Sequence, residues 1–200
     1  MASAFSHAFV AVALGKAYSP QPMPWRFWVL SVLCSVLPDA DVLGLALGIH
    51  YGAMLGHRGV SHSLCFAGIV GFSVAWLHFH DFAQHAKARW ALALYFTAVT
   101  ASHGLLDAIT NGGLGVAFFA PFDSTRYFLP WRPVRVSPIG VTEFFGRWGV
   151  RILQSEIVYI WLPTGLFCGL IHLLRRLRLP LSSPLRSAQP GEQHESIRRQ

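Results

Sequence analysis

The chain has 200 residues, enough for one domain, and 53% of them are hydrophobic whereas only 12% are charged. Soluble domains carry about 25% charged residues, and 200 residues cannot bury this much apolar surface, so the composition excludes an ordinary soluble protein. The net charge is +7. The basic residues lie between and after apolar stretches, as in membrane proteins, and this argues against a nucleic-acid partner.

Five apolar segments follow one another along the chain, and a membrane span needs about 20 such residues. They cover residues 4–18, 26–50, 61–80, about 90–111 and about 152–174. We therefore predict an all-α, polytopic membrane bundle of about five helices. Pro38 lies inside the second segment and should kink it or divide it into two half-helices.

A long connector, residues 113–150, separates the fourth and fifth segments and is rich in aromatic residues, proline and arginine. Because Trp, Tyr and Phe concentrate at membrane–water interfaces, we expect the connector to lie there. After Pro180 the chain is rich in Ser, Pro, Gln and Arg, a composition that predicts disorder. We predict one membrane-embedded domain over residues 1–178 and a disordered basic tail over residues 179–200. Basic residues are more frequent on the side of the tail, which favours a cytoplasmic tail.

Several ionisable side chains interrupt the apolar segments, where burial is costly and usually indicates a functional site. Three of the nine acidic residues in the chain, Asp39, Asp41 and Asp107, lie there. The histidines that lie within or beside apolar runs are His7, His57, His62 and His103. Leaving so many polar groups without partners would cost several kcal/mol each, so we expect them to be paired or bound to a metal ion.

The spacing of two of these residues predicts a ligand pair. His103 and Asp107 are four residues apart, so on a helix they share one face and can hold one metal ion. His57 and His62 are five apart and align poorly on a helix. We place His57 in a loop and His62 in the first turn of the third segment.

Asp39 and Asp41 are two residues apart and cannot share one face of a regular helix. Either Pro38 opens the helix and both carboxylates reach one site, or Asp39 alone binds metal and Asp41 supports it. An up-and-down order of the spans brings the polar ends of the first, third and fourth segments to the same side of the membrane. Nitrogen and oxygen ligands without thiolate suit Zn²⁺, Mn²⁺ or Fe²⁺. We expect one or two divalent ions, with zinc first and manganese as the alternative.

Four stretches of the chain, SHAF, LPDAD, HRGVSHSL and SHGLLDAITNGG, resemble the YdjM-like family of membrane-bound metal-dependent hydrolases. The resemblance covers roughly residues 4–165 and implies a multi-pass protein of the inner membrane. The motif residues that it implies are His7, Asp39, Asp41, His57, His62, His103 and Asp107, with Glu156 as a further member. The order of ligands is also distantly similar to that of zinc-dependent phospholipases C and P1-type nucleases, which favours a phosphoester substrate.

These observations predict an integral membrane hydrolase that acts on a phosphoester or a lipid-type ester. His103 and Asp107, with His57 or His62, would hold the first ion. Asp39 would bridge to a second ion or hold it together with His7. A bound divalent ion lowers the pKa of its water to roughly 7 and so prepares it for attack at neutral pH.

Three further residues receive predicted catalytic roles. Asp41 or Glu156 would act as the general base, and the spacing does not decide between them. Arg58 would contact a phosphate oxygen or the charge that develops in the transition state. The expected partners are the membrane and a lipid or small phosphoester, over which the connector would close as a lid.

Two other classes of function use the same residues. The cluster could form a pathway for protons or metal ions through the membrane. Arg58 would repel a travelling cation, however, and the polar residues lie in one layer instead of along the full depth. A structural metal site in a non-enzymatic protein would have a closed set of ligands with no room for water.

Overall fold

The computed structural model describes residues 1–81 and 85–178, and within these ranges the chain is helical without a β-strand. This confirms the predicted all-α class. The helices are α1 (Ala4–Tyr18), α2 (Trp25–Val36), α3 (Val42–Ala46), α4 (Leu64–His78), α5 (Ala86–Ala108), α6 (Val141–Phe144), α7 (Arg147–Glu156) and α8 (Leu162–Arg178). Two 3₁₀ turns, Leu37–Asp41 and Val60–His62, and a π-helical turn, Ile157–Trp161, lie between them.

Each of the five predicted apolar segments contains a helix, but two helices in the described part are long and apolar enough to cross a membrane. One is Trp25–Ala46, which joins α2, the 3₁₀ turn and α3 over 22 residues with a mean hydropathy of 1.7. The other is Arg147–Leu177, which joins α7, the π turn and most of α8 over 31 residues with a mean hydropathy of 1.9. The apolar helix α4 is shorter, with 15 residues.

Pro38 divides the second segment as the sequence predicts. Proline has no N–H to continue a helical ladder, and the chain tightens into the 3₁₀ turn at this point before α3 begins. The turn carries Asp39 and Asp41 at a place where the backbone departs from regular α-helical geometry.

The helices pack around an aromatic core that holds α2 and α4 against α5. Phe27 of α2 is fully buried, and its ring stacks on Tyr95 of α5 with 4.7 Å between the ring centres. Gly71 lets α4 approach α5 closely, because a Cβ atom there would lie 2.4 Å from the backbone nitrogen of Thr97. This packing fixes the 3₁₀ turn after α2 beside the C-terminal turns of α5.

Large apolar side chains cover much of the outer surface. Leu43 and Leu47 at α3 are 70% and 81% exposed, and Leu166 and Leu177 of α8 are 74% and 73% exposed. Such a surface is unfavourable in water and favourable in hydrocarbon.

The connector of residues 113–150 also exposes aromatic rings, with Phe122 88% and Phe145 76% exposed. The interfacial position of the connector stays a prediction. The predicted disordered tail, residues 179–200, lies outside the described residues.

Candidate metal centre

Four side chains bring one ligand atom each to within 4.8 Å of one another: Asp39, His62, His103 and Asp107. We call this set the ligand cluster. The two aspartates and two histidines come from the 3₁₀ turn after α2, the 3₁₀ turn before α4, and the C-terminal half of α5. His62, His103 and Asp107 have no exposed side-chain surface, whereas the side chain of Asp39 is 14% exposed. The cluster therefore reaches the surface on the Asp39 side.

Four of the distances between the ligand atoms are close to those expected around a tetrahedral ion. The Nε2 atom of His103 lies 3.1 Å from Nε2 of His62 and 3.3 Å from Oδ1 of Asp39. The Nε2 atom of His62 lies 3.7 Å from Oδ1 of Asp39 and 3.6 Å from Oδ2 of Asp107. Zinc binds nitrogen and oxygen at about 2.0–2.2 Å, so two ligands at a tetrahedral angle lie about 3.3–3.5 Å apart.

Hydrogen bonds at the other ring nitrogens direct both histidines toward this centre. The Nδ1 atom of His103 lies 2.7 Å from the carbonyl oxygen of Ser35, and a carbonyl only accepts, so Nδ1 carries the proton. The Nδ1 atom of His62 lies 3.2 Å from Oδ2 of Asp41, where the same argument holds. Both Nε2 lone pairs are then free for a cation, and a proton partner on the far nitrogen is the usual arrangement of metal-binding histidines.

The charges around the cluster also favour a cation. Three buried or nearly buried carboxylates, Asp39, Asp41 and Asp107, surround His62, and Asp107 also pairs with the guanidinium of Arg58. The carboxylates thus stabilise positive charge at this position, whether a proton or a metal ion carries it.

Asp41 lies at the centre of a second group of side chains, and this group orients His62 of the ligand cluster. Its Oδ1 accepts from Nδ1 of His57 at 2.6 Å, and its Oδ2 accepts from the hydroxyl of Ser61 at 2.5 Å and from the backbone N–H of Arg58 at 3.2 Å. Two ligands of one ion lie at least about 2.9 Å apart, so the 2.6 Å contact is a hydrogen bond. Asp41, His57 and His62 also bring one ligand atom each to within 4.8 Å of one another, so both alternatives that the sequence leaves open keep a geometric basis.

Arg58 lies behind Asp107 and away from the surface. Its side chain is fully buried, and its Nε atom lies 3.0 Å from Oδ2 of Asp107. Its other nitrogens donate to the carbonyl of Gly112 at 2.9 Å and to Thr110 Oγ1 at 3.1 Å. The backbone of Arg58 has a φ of 64°, in the left-handed region that non-glycine residues rarely adopt. Contact with a substrate phosphate, as the sequence predicts, would require the guanidinium to leave these partners.

His7 lies against the cluster without joining it. Its ring is fully buried and stacks on His103 with 3.8 Å between the ring centres, and its Nε2 lies 3.6 Å from Oδ1 of Asp107. Neither ring nitrogen of His7 has a hydrogen-bond partner in the described part of the chain. The sequence predicts that His7 holds a second ion together with Asp39, whereas the carboxylate that His7 contacts in the structure is Asp107.

Glu156 is buried outside the ligand cluster. Its carboxylate accepts from the backbone N–H and the hydroxyl of Ser3, both at 2.5 Å, and from the hydroxyl of Ser6 at 2.8 Å. It therefore ties the start of α1 to the end of α7. The role of Glu156 as a general base stays a prediction, and the contacts of its carboxylate in the structure hold two helices together.

Sequence reasoning missed two groups that position the site without belonging to the ligand cluster, the carbonyl of Ser35 and the side chain of Arg126. Ser35 acts through its carbonyl, which leaves no signal in the sequence. Arg126 of the connector donates to the carbonyls of His57 at 2.9 Å and Ala53 at 3.1 Å, and so anchors the loop that carries His57. Arg126 is one of four arginines in the connector, so residue type alone does not indicate this role.

Comparison with known proteins places the chain among proteins of the inner membrane. A family model described as YdjM inner membrane protein matches residues 1–177. The chain is 33% identical to the inner membrane protein YbcI of Escherichia coli (strain K12) over 176 residues, which are 88% of this chain and 100% of that protein. No solved structure matches the chain.

Proposed function

Because the chain belongs to the YdjM family of inner membrane proteins, we propose that it is an integral membrane hydrolase that depends on a divalent metal ion, with zinc as the first candidate and manganese as the second. The observation that carries the proposal is the ligand cluster, in which two imidazoles and two carboxylates each bring one ligand atom to within 4.8 Å of the others. The residues fit the ion, because the far nitrogen of each histidine already has an acceptor.

When bound, the ion supplies Lewis acidity and an activated water. The chain supplies the positioning. His62 and His103 are held by Asp41 and by the carbonyl of Ser35, and Asp107 is held by Arg58 and by the backbone N–H of Ala2 at 2.7 Å. Of the two candidate bases, Asp41 is in contact with the cluster, and its side chain is 7% exposed. This supports Asp41 over Glu156 as the group that takes a proton from water.

We propose a phosphoester or another ester with an apolar portion as substrate. The cluster reaches the surface at Asp39, and two leucines on the same chain segment, Leu37 and Leu43, are 42% and 70% exposed. An ester on a lipid could place its polar part at Asp39 and its chain along these leucines.

We also propose that all five apolar segments cross the membrane. Besides the two long spans, α1, α4 and α5 expose apolar side chains of their own, such as Val12, Ile69 and Leu94 at 39%, 61% and 68%. Single cysteines at Pro20, Gly52, His85 and Thr125, in a background without the native cysteines, would be labelled in sealed vesicles of both orientations. Labelling of Pro20 and His85 from one side and of Gly52 and Thr125 from the other supports five spans. Any other pattern contradicts them.

The metal site is tested by elemental mass spectrometry of the detergent-purified protein. We expect about one equivalent or more of zinc or manganese in the wild type, and less than a tenth in the double variant His103→Ala, Asp107→Ala. The matched control is His78→Ala, which removes an exposed histidine of α4 and should retain the metal. No metal in the wild type, even after addition of excess zinc and manganese, would overturn the proposal.

A structural metal site is the second candidate, because the cluster offers four protein ligands and structural zinc sites have four. Cobalt-loaded protein separates the two functions. Addition of inorganic phosphate should change the visible spectrum if an open position exists, and metal-dependent hydrolysis of bis(p-nitrophenyl) phosphate or a fluorescent phospholipid should accompany it. An unchanged spectrum together with no hydrolysis would favour the structural site.

A further inference from the structure

A cavity of about 690 Å³ lies at the end of α1 opposite to the ligand cluster. Its basic lining residues are Lys16, His172, Arg175 and Arg176, and no acidic residue of the described chain lines it. Lys16 follows His7 by nine residues, which is about 13 Å along a helix. The cavity is therefore separate from the metal centre. Its volume lies within the range of about 300–1,000 Å³ that is usual for small-molecule sites.

The cavity is amphipathic. Its apolar wall includes Trp28 and Ile171, from α2 and α8. The ammonium of Lys16 lies 4.9 Å from the centre of the Trp28 ring, a cation–π contact that places the charge at the border of this wall. A ligand with an anionic group and an apolar chain matches both parts.

The backbone at this end of α1 would by itself repel an anion, because the carbonyl end of a helix carries partial negative charge. Arg175 offsets this charge: its guanidinium donates to the carbonyl of Lys16 at 3.1 Å and also to the carbonyl of Ala17. The side chains of Lys16, His172 and Arg176 form no ion pair with a carboxylate among the described residues. The positive charges of Lys16 and Arg176 remain available to a ligand, and His172 adds a hydrogen-bonding ring.

We propose that this cavity binds a phosphate group, presented at the membrane surface by an anionic phospholipid or taken up as a free phosphate. Basic pockets between helices of membrane proteins bind anionic headgroups, because two or more cations can neutralise one phosphate close to the apolar boundary. The site does not depend on the metal centre or on hydrolysis.

The test uses the detergent-solubilised full chain and three probes: dihexanoyl phosphatidylglycerol, dihexanoyl phosphatidylcholine and inorganic phosphate. Binding is measured below the critical micelle concentration of the lipids by isothermal titration calorimetry. The variant combines Lys16→Gln, His172→Gln and Arg176→Gln, and leaves Arg175 in place because it caps α1. The control combines Arg147→Gln and Arg151→Gln, two exposed arginines elsewhere on the Arg147–Leu177 helix.

We expect phosphatidylglycerol to bind the wild type and the control equally, and to bind the triple variant at least tenfold more weakly. Phosphatidylcholine should bind at least tenfold more weakly than phosphatidylglycerol. If millimolar inorganic phosphate competes with phosphatidylglycerol, the site recognises the phosphate group alone. If it does not compete, binding also requires the lipid chain. Equal binding of phosphatidylglycerol to the wild type and the triple variant would overturn the proposal. The variant Lys16→Arg, which keeps the charge, should retain binding, and a circular dichroism spectrum of the triple variant equal to that of the wild type shows that its loss of binding is not a folding defect.

Discussion

Glu156 and Asp107 of the ligand cluster are both fully buried carboxylates, and their partners differ. Glu156 accepts three hydrogen bonds from Ser3 and Ser6, so its charge is solvated by donors of the chain. Asp107 pairs with the guanidinium of Arg58, and beside this pair Oδ1 of Asp39 has no hydrogen-bond donor and two imidazole nitrogens face each other. A buried charge needs either donors or a counter-ion. The first region is therefore a structural tie, and the second offers a group of side chains close enough together to hold a cation.

Removing one ligand should have the largest effect on metal binding. His62→Ala deletes one imidazole of the cluster and leaves the Glu156 region intact. We expect the affinity for zinc to fall by more than a hundredfold, beyond the 10–100-fold that is typical of a lost supporting group. Competition with a chromophoric chelator measures the change. An affinity within tenfold of the wild type would show that His62 is not a ligand.

Glu156→Ala should disturb the Glu156 region and leave the ligand cluster intact. The substitution leaves the N–H and hydroxyl of Ser3 and the hydroxyl of Ser6 without their acceptor, and we expect a loss of about 3 kcal/mol in the free energy of unfolding. The zinc content should stay at the wild-type level. Denaturant titration in detergent, with exposed Glu143→Ala as control, measures the stability. Loss of zinc in a folded Glu156→Ala protein would contradict the division into two regions.

Asp41→Asn tests the support of His62 with a smaller change. An amide keeps the shape but offers only one acceptor oxygen, so it cannot serve His57, Ser61 and His62 as the carboxylate does. We expect the zinc affinity to fall by about 10–100-fold. The control Asp123→Asn changes a carboxylate of the connector and should leave the affinity unchanged. A drop as large as that of His62→Ala would instead make Asp41 a ligand.

Trp161→Phe should produce the smallest effect. It removes one hydrogen bond, from the indole Nε1 to the hydroxyl of Ser6 at 2.8 Å, at the edge of the Glu156 region. We expect a loss of about 1 kcal/mol in unfolding free energy and unchanged zinc binding. Trp25→Phe, at a ring that is 77% exposed, provides the control for thermal unfolding in detergent. A stability equal to that of the wild type would remove Trp161 from this region.

Local pattern was enough to predict most of the fold. Each predicted apolar segment contains a helix, and Pro38 ends α2 because a proline cannot continue the ladder. The pairing of His103 with Asp107 also followed from sequence, because four residues on a helix return to the same face. The number of membrane crossings did not follow, since two helices among the described residues meet the length and hydropathy of a span.

The sequence by itself determined that His and Asp side chains from distant segments occur at helix ends, since residue type and helical period are local properties. Only the tertiary structure decided which of them meet. His57 and His62, like Asp39 and Asp41, lie in irregular turns, where no period sets the direction of a side chain. Their directions come from packing of these turns against α5 and from partners such as the Ser35 carbonyl and Ser61, which no spacing reveals. The same holds for Glu156, which became a structural tie because Ser3 and Ser6 lie beside it in three dimensions.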